Sequence, residues 1–238
     1  MMKHALVAAV LSFLAAQFAP AAATPVSGDA IYQKRCAACH DSAGERVPPS
    51  DALKKMSVAR ILRALDFGAM INVAGPMTRE EREAVATFLG VAGADAPLSP
   101  KNVCADRSVN LNAIPKGAWN GWSPTTENTR YQTAEAAGLT ANQVPRLKLK
   151  WAYGFDGDVN AIGAPSVIGR YLFFGSASGA VQALDARSGC VHWMFQADGP
   201  VRSAILAVPI GSGRHALMFS DLTGWYYSVD SANGRLLW

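Results

Sequence analysis

The residues best equipped for chemistry are five in a row, Cys36-Ala37-Ala38-Cys39-His40. Two thiols three positions apart, followed at once by an imidazole, can form both thioether bonds to a haem and supply its proximal iron ligand. A redox-active Cys-x-x-Cys is the main alternative, but His40 follows the second thiol directly and no strand–helix alternation surrounds the motif. Zinc would need further clustered ligands, and Asp41 is the only nearby side chain of a ligand type. The spacing therefore assigns Cys36 and Cys39 to covalent haem c and His40 to its iron.

Three methionines downstream offer a sixth ligand. Met77 stands directly before a helix cap at Thr78, and Met56 lies between two helical stretches, positions that suit core packing. Met70 falls in an irregular loop from which its thioether can swing toward iron. Met70 is thus the first choice as distal ligand and Met77 the second. A thioether raises the potential relative to two imidazoles and suits an electron acceptor.

The elements that must hold this site are legible as short helices. Asp29 is placed to cap a helix running to Cys36. Ser57 opens a second, whose Ile61, Leu62 and Leu65 recur at helical spacing before Gly68. Thr78 with Glu81 forms a capping box for a third, through Leu89, with Val85, Phe88 and Leu89 on one face and Arg79, Glu80, Arg82 and Glu83 toward solvent. So small a helical unit has little core of its own, and a covalently held porphyrin would fill its centre. Residues 28–90 resemble a class of small bacterial cytochrome c domains: Gly68-Ala69-Met70 matches their axial-Met loop. Met77-Thr78-Arg79-Glu80-Glu81 matches the following helix start with Met in place of Leu, and Val47-Pro48-Pro49 matches the proline loop beside the ring. The resemblance implies Met70 rather than Met77 as the distal ligand.

Lys3 and His4 precede an apolar stretch from Ala5 to Ala19, and Pro20 to Ala23 supplies a breaker and small residues. Residues 1–23 read as a secretory signal, placing the mature chain in the periplasm with no integral span. Across 238 residues the chain is 50% hydrophobic and 17% charged, which excludes a wholly disordered chain. Its formal charge of +4 is spread without a dense basic patch, so nucleic acid is excluded as a partner. The expected organisation is a cytochrome domain over 24–93 and a linker with approach segment over 94–127, then a β region over 128–238. Within the approach segment, Trp119 and Trp122 read as cover for the edge of the next unit, or as a flat binding surface.

The β region contains an internal repeat. Residues 172–193 align without a gap onto 217–238, an offset of 45, pairing Leu172 with Leu217, Asp185 with Asp230, Gly189 with Gly234 and Trp193 with Trp238. Trp151 precedes Trp193 by 42, extending the series. Short strands at this period fit four-stranded propeller blades, with the tryptophans packed between neighbours. The expected fold is an all-α cytochrome c-like domain followed by an incomplete all-β propeller of about two blades. A closed ring needs at least four, so the chain is expected to be the front part of a longer protein.

The repeat, together with Trp119-Asn120-Gly121-Trp122, Asn128-Thr129-Arg130-Tyr131-Gln132 and Ala183-Leu184-Asp185-Ala186-Arg187-Ser188-Gly189, resembles the PQQ-dependent alcohol dehydrogenases. That resemblance implies an eight-bladed propeller holding PQQ beside Ca²⁺. It also implies an alcohol substrate and transfer of electrons through haem c to an acceptor such as a soluble cytochrome c. The catalytic Asp and calcium ligands would lie in later blades. Arg202 is the one candidate for the PQQ carboxylates within this sequence. Asp158, Asp185, Asp221 and Asp230 read as turn or solvated residues first. An electron-transfer cytochrome carrying a non-catalytic docking propeller is the competing reading. Cys104 and Cys190 remain, as a disulfide or as separate buried thiols, since export permits either.

Overall fold

A computed structural model describes residues 25–42, 44, 47–93, 100–155, 158 and 163–238; the secretory signal and most of the linker read from the sequence lie outside them. The first half is helical: α1 (Gly28–Arg35), α2 (Ala37–His40), α3 (Ser50–Leu53), α4 (Val58–Asp66), α5 (Ile71–Ala74) and α6 (Arg79–Leu89). The cap of α1 is Ser27, whose hydroxyl accepts from the Ala30 amide at 3.3 Å, and not Asp29, which lies in the first turn where its charge favours the helix dipole. Gly28 must be inside the helix, because α1 there crosses α6 so closely that a Cβ would strike the Ala84 carbonyl.

Ser57 caps α4 as its position predicts, accepting from the Arg60 amide at 3.0 Å. The capping box of α6 is complete: Thr78 Oγ1 accepts from Glu81 N at 3.2 Å, and Glu81 Oε2 accepts from Thr78 N at 2.8 Å. Ile31, Tyr32, Ile61, Leu65, Val85 and Leu89 form the shared core. Phe88 departs from the expected apolar face. It is exposed and meets Tyr32 with the rings tilted at 47°, centroids 6.0 Å apart. Arg82, read as facing solvent, is instead turned inward to an ion pair with Asp66 at 2.7 Å.

The second half holds two antiparallel sheets. One has β1 (Ser166–Ile168), β2 (Tyr171–Gly175), β3 (Ala180–Asp185) and β4 (Val191–Gln196) in sequential order; the other has β5 (Leu206–Pro209), β6 (His215–Ser220) and β7 (Tyr226–Asp230). The repeat governs register as well as sequence. Tyr171 opposes Asp185 and Ala216 opposes Asp230, while Leu184 opposes Val191 and Val229 makes an isolated bridge to Leu236, each pair displaced by the same 45 positions. Alternation then sends Phe173, Val181 and Trp193 from the first sheet against Leu217, Phe219 and Val229 of the second.

The tryptophans dock between units as the repeat implies. Trp193 Nε1 donates to the Ser231 carbonyl at 3.0 Å, and Trp151 Nε1 donates to the equivalent Ala186 carbonyl at 3.2 Å. Each indole lies over the glycine of the next turn, where a Cβ would come within 2.5 Å of Trp193 at Gly234 and within 2.8 Å of Trp151 at Gly189. Both glycines also need a positive φ. Trp193 is 4% exposed, whereas Trp238, at the same phase, is 63% exposed and does not pack between sheets among the described residues.

The same turns explain three of the four aspartates. Asp185 accepts from the Arg187 and Ser188 amides at 3.0 and 2.9 Å and pairs with Arg170 at 2.5 Å. Asp230 accepts from the Ala232 amide at 2.9 Å and pairs with Arg214 at 2.6 Å. Asp221 accepts from Thr223 N and Tyr227 Oη at 2.9 and 2.8 Å. Burial pushes each carboxyl up, but these donors outweigh it and hold all three below the usual range.

The approach segment is fastened to both sheets. Trp119 and Val167 exchange backbone hydrogen bonds at 2.9 and 2.8 Å, and the Asn120 amide clamps both backbone groups of Ala207 at 2.9 and 2.8 Å. Trp119 therefore extends the edge of the first sheet, while Trp122 is exposed beneath the Arg130 guanidinium. Cys104 and Cys190 are joined as a disulfide spanning 86 positions, which resolves the choice left open by the sequence. Among the described residues no helix is long and apolar enough to cross a membrane.

Trp193→Ala should destabilise the β region by about 3–5 kcal/mol, seen as a lower midpoint in urea unfolding followed by circular dichroism. The aspartate turns give a second expectation. Depressed folded-state carboxyl pKa values contribute stability that is present above the unfolded value, roughly pH 4, and lost as pH falls through the folded ones. The urea midpoint of this region should therefore hold from neutrality to about pH 5 and decline below pH 4.

Candidate functional site

Cys36 is the joint between α1 and α2. Its amide donates to the Tyr32 carbonyl at 2.8 Å, and its own carbonyl accepts from Cys39 and His40 at 3.1 and 3.0 Å. One helical turn thus presents both thiols and the imidazole together. Tyr32 braces that turn from beneath, its hydroxyl donating to Asp41 Oδ1 at 2.6 Å. Burial and the Asp41 carboxylate push the tyrosine up to about 12.

His40 is buried, and its Nδ1 lies 2.7 Å from the Pro48 carbonyl. Only a protonated Nδ1 can donate to a carbonyl, so Nε2 is left with its lone pair, the atom a metal needs. The Val47-Pro48-Pro49 loop singled out in the sequence therefore orients the ring. Both thiols are free. Burial pushes the Cys36 thiol up, Arg35 opposing it; redox-active Cys-x-x-Cys sites depend on the opposite shift.

These groups open onto a cavity of roughly 610 Å³, of the size that holds a large prosthetic group. Cys36, Cys39, His40, Met70 and Met77 are all on its wall, as are Met56 and the apolar Ile61, Leu65, Val85 and Leu89. The residues fit a haem: two thiols for its side chains, an imidazole with a free Nε2, a choice of thioethers on the same lining, and a largely apolar wall. Met77 is buried and Met70 half-buried, so packing favours Met77 as core and Met70 as the more adjustable sulfur, without separating them as ligands.

Sequence reasoning missed two parts of this wall. Arg35, Arg60 and Arg63 bring positive charge to it, and the three-residue spacing of Arg60 and Arg63 on α4 was a readable signal. Tyr153, Phe155, Asp158, Gln182 and Met194 of the second half also line it, and no local pattern could have placed them there. Both Asp158 carboxylate oxygens are buried without a hydrogen-bond partner. Arg202 stands apart, exposed on the connection between β4 and β5 and absent from this wall.

Residues 23–89 match the family described as cytochrome C oxidase, cbb3-type, subunit III. Over 237 residues the chain is 38% identical to a polyvinylalcohol dehydrogenase of Sphingopyxis sp. (strain 113P3), a match covering 91% of this chain and 35% of that protein. A polyvinylalcohol dehydrogenase of Pseudomonas sp. is 34% identical over 230 residues, covering 89% of this chain and 35% of its own. The quinohemoprotein alcohol dehydrogenase ADH-IIG of Pseudomonas putida is 30% identical over 163 residues, 65% of this chain and 22% of its own. The chain spans about a third of the length of the first two relatives, at 35% in each case. It carries a cytochrome-c-like N-terminal segment joined to a segment homologous to quinohaemoprotein alcohol dehydrogenases.

Tyr32→Phe removes the hydroxyl that braces the Cys-x-x-Cys-His turn. The loss should be about 1.5 kcal/mol, the scale of a hydrogen bond to a charged group, measured as a lower thermal midpoint of the helical region.

Proposed function

We propose that this chain is the front part of a periplasmic quinohaemoprotein that oxidises an alcohol at PQQ and Ca²⁺. Electrons then pass through haem c to a soluble cytochrome c. The observation that carries the reading is the convergence of Cys36, Cys39, His40 and Met70 on one haem-sized cavity beside a repeated, tryptophan-docked β region. Residues 1–23 are the export signal, 24–93 the cytochrome domain, 94–127 the linker and approach segment, and 128–238 the first blades of an eight-bladed ring. The homology to polyvinylalcohol dehydrogenases supports polyvinyl alcohol as the substrate.

The haem, once attached, supplies one-electron transfer, and the chain's own residues do the rest. Cys36 and Cys39 hold the ring through thioethers, so it is retained in both oxidation states. Pro48 holds the His40 imidazole through Nδ1 and leaves Nε2 free, so His40 would ligate the iron and Met70, with Met77 as the second choice, would supply the other ligand. The apolar part of the wall would exclude water from a haem held there, and a thioether ligand would add to the rise in its potential. Arg202, exposed at one rim of the β region, is the residue offered to the carboxylates of PQQ.

The chain produced in a host that attaches haem c should retain its pigment through acid–acetone extraction and give a pyridine haemochrome spectrum of the two-thioether type; extractable pigment overturns the reading. Met70→Ala should abolish the near-infrared band of methionine-ligated ferric haem and Met77→Ala should leave it, whereas the reverse result assigns Met77. In the longer protein, alcohol should reduce the haem only after PQQ and Ca²⁺ are supplied.

A further inference from the structure

The haem cavity is not closed by the helices alone. Its second wall comes from one end of the first sheet, where Ser178, Ala180, Gln182, Met194 and Gln196 project from the β2–β3 turn, β3 and β4. Gln182 opposes Met194 and Ala180 opposes Gln196 in the ladder, so these side chains share a face. It is the face opposite to Val181, Ala183 and Trp193, which pack on the second sheet. Leu172 and Leu184, farther along the same face, are not on the wall, which confines the contact to the rim.

Gln182 is the anomaly of that rim. It is 3% exposed, its Oε1 is buried with no hydrogen-bond partner, and its Nε2 reaches only Met194 Sδ at 3.6 Å. A thioether is a weak acceptor, so the buried Nε2 is a donor without a strong partner, and it is this group, not the acceptor Oε1, that a carboxylate can satisfy. The periphery of a c-type haem offers thioether-linked carbons, methyl groups and two carboxylates, and only the carboxylates accept from an amide. Arg35, Arg60 and Arg63 bring positive charge to the same cavity, with Asp158 the acid among the described residues of its wall.

We propose that Gln182 is a haem-binding residue: its amide donates a hydrogen bond to a haem propionate, while Phe155 and Met194 cover that edge of the ring. This rests on the haem reading above and extends it into the β region. The bond withdraws negative charge from the propionate and so favours the ferrous state. Phe155 is held for its part by stacking on Phe174, centroids 5.1 Å apart. The arrangement puts the haem at the rim where the β4–β5 connection also lies, since Val201 N donates to Ser176 O at 3.0 Å, and so at the same end as Arg202.

The test is redox titration and Soret circular dichroism of the full chain carrying covalent haem, with Gln182→Leu, Gln182→Glu and Met194→Ala beside the wild type. Gln182→Leu should lower the midpoint potential, Gln182→Glu should lower it further, and each should alter the Soret dichroism while the iron stays low-spin. Met194, at 40% exposure, tolerates truncation, and Met194→Ala should also lower the potential by admitting water to the ring edge, which keeps the question answerable if the Gln182 variants fail to fold. Unchanged potentials and Soret dichroism in folded variants overturn the proposal and leave this face to another strand or sheet. A wild-type chain without covalent haem overturns the haem reading itself, a result seen before any variant is compared.

Discussion

A helical unit built from six short segments has only a small core, and part of that core faces a cavity. Around its cavity Ile61, Leu65, Val85 and Leu89 present apolar surface, and the longest helix, α6, has only 11 residues. Whatever fills that space must contribute the apolar area that the side chains lack. The Cys-x-x-Cys-His motif borders that space: α1 ends at Cys36, the turn of α2 carries the buried His40, and the proline loop holds its ring.

The β region solves a different problem by repetition. Each unit leaves an indole for the next, and the next supplies a glycine flat enough to receive it and a carbonyl to take its N–H. The receiving turn is stiffened by a buried aspartate that satisfies backbone amides and an arginine together. Because the docking joins successive units, it fixes the relative placement of sheets as well as their internal register. The disulfide and the Asn120 clamp then tie the approach segment to the frame.

Much of this was legible because it is local. The capping box at Thr78, the helix start at Ser57 and the offset of 45 all reappear in the structure. The reading failed where a neighbouring element decided the outcome: Ser27 rather than Asp29 caps α1 because Gly28 is needed against α6, and Phe88 faces outward although its spacing follows Val85. Asn128 to Gln132, noted in the sequence only for its resemblance, forms a turn whose Arg130 amide donates to Ser123 Oγ at 3.0 Å and whose Gln132 side chain donates to the Gly117 carbonyl.

The sequence by itself determined the identities and spacings that chemistry requires: two thiols and an imidazole on one turn, and a periodic Asp, Gly and Trp. These depend on a few consecutive residues, or on a period that any reader can count. Only the tertiary structure decided that Cys104 meets Cys190 and that Met70, Met77, Gln182 and Phe155 line one cavity with His40. Such meetings are set by how sheet and helices pack over long chain separations, and no short-range pattern encodes them.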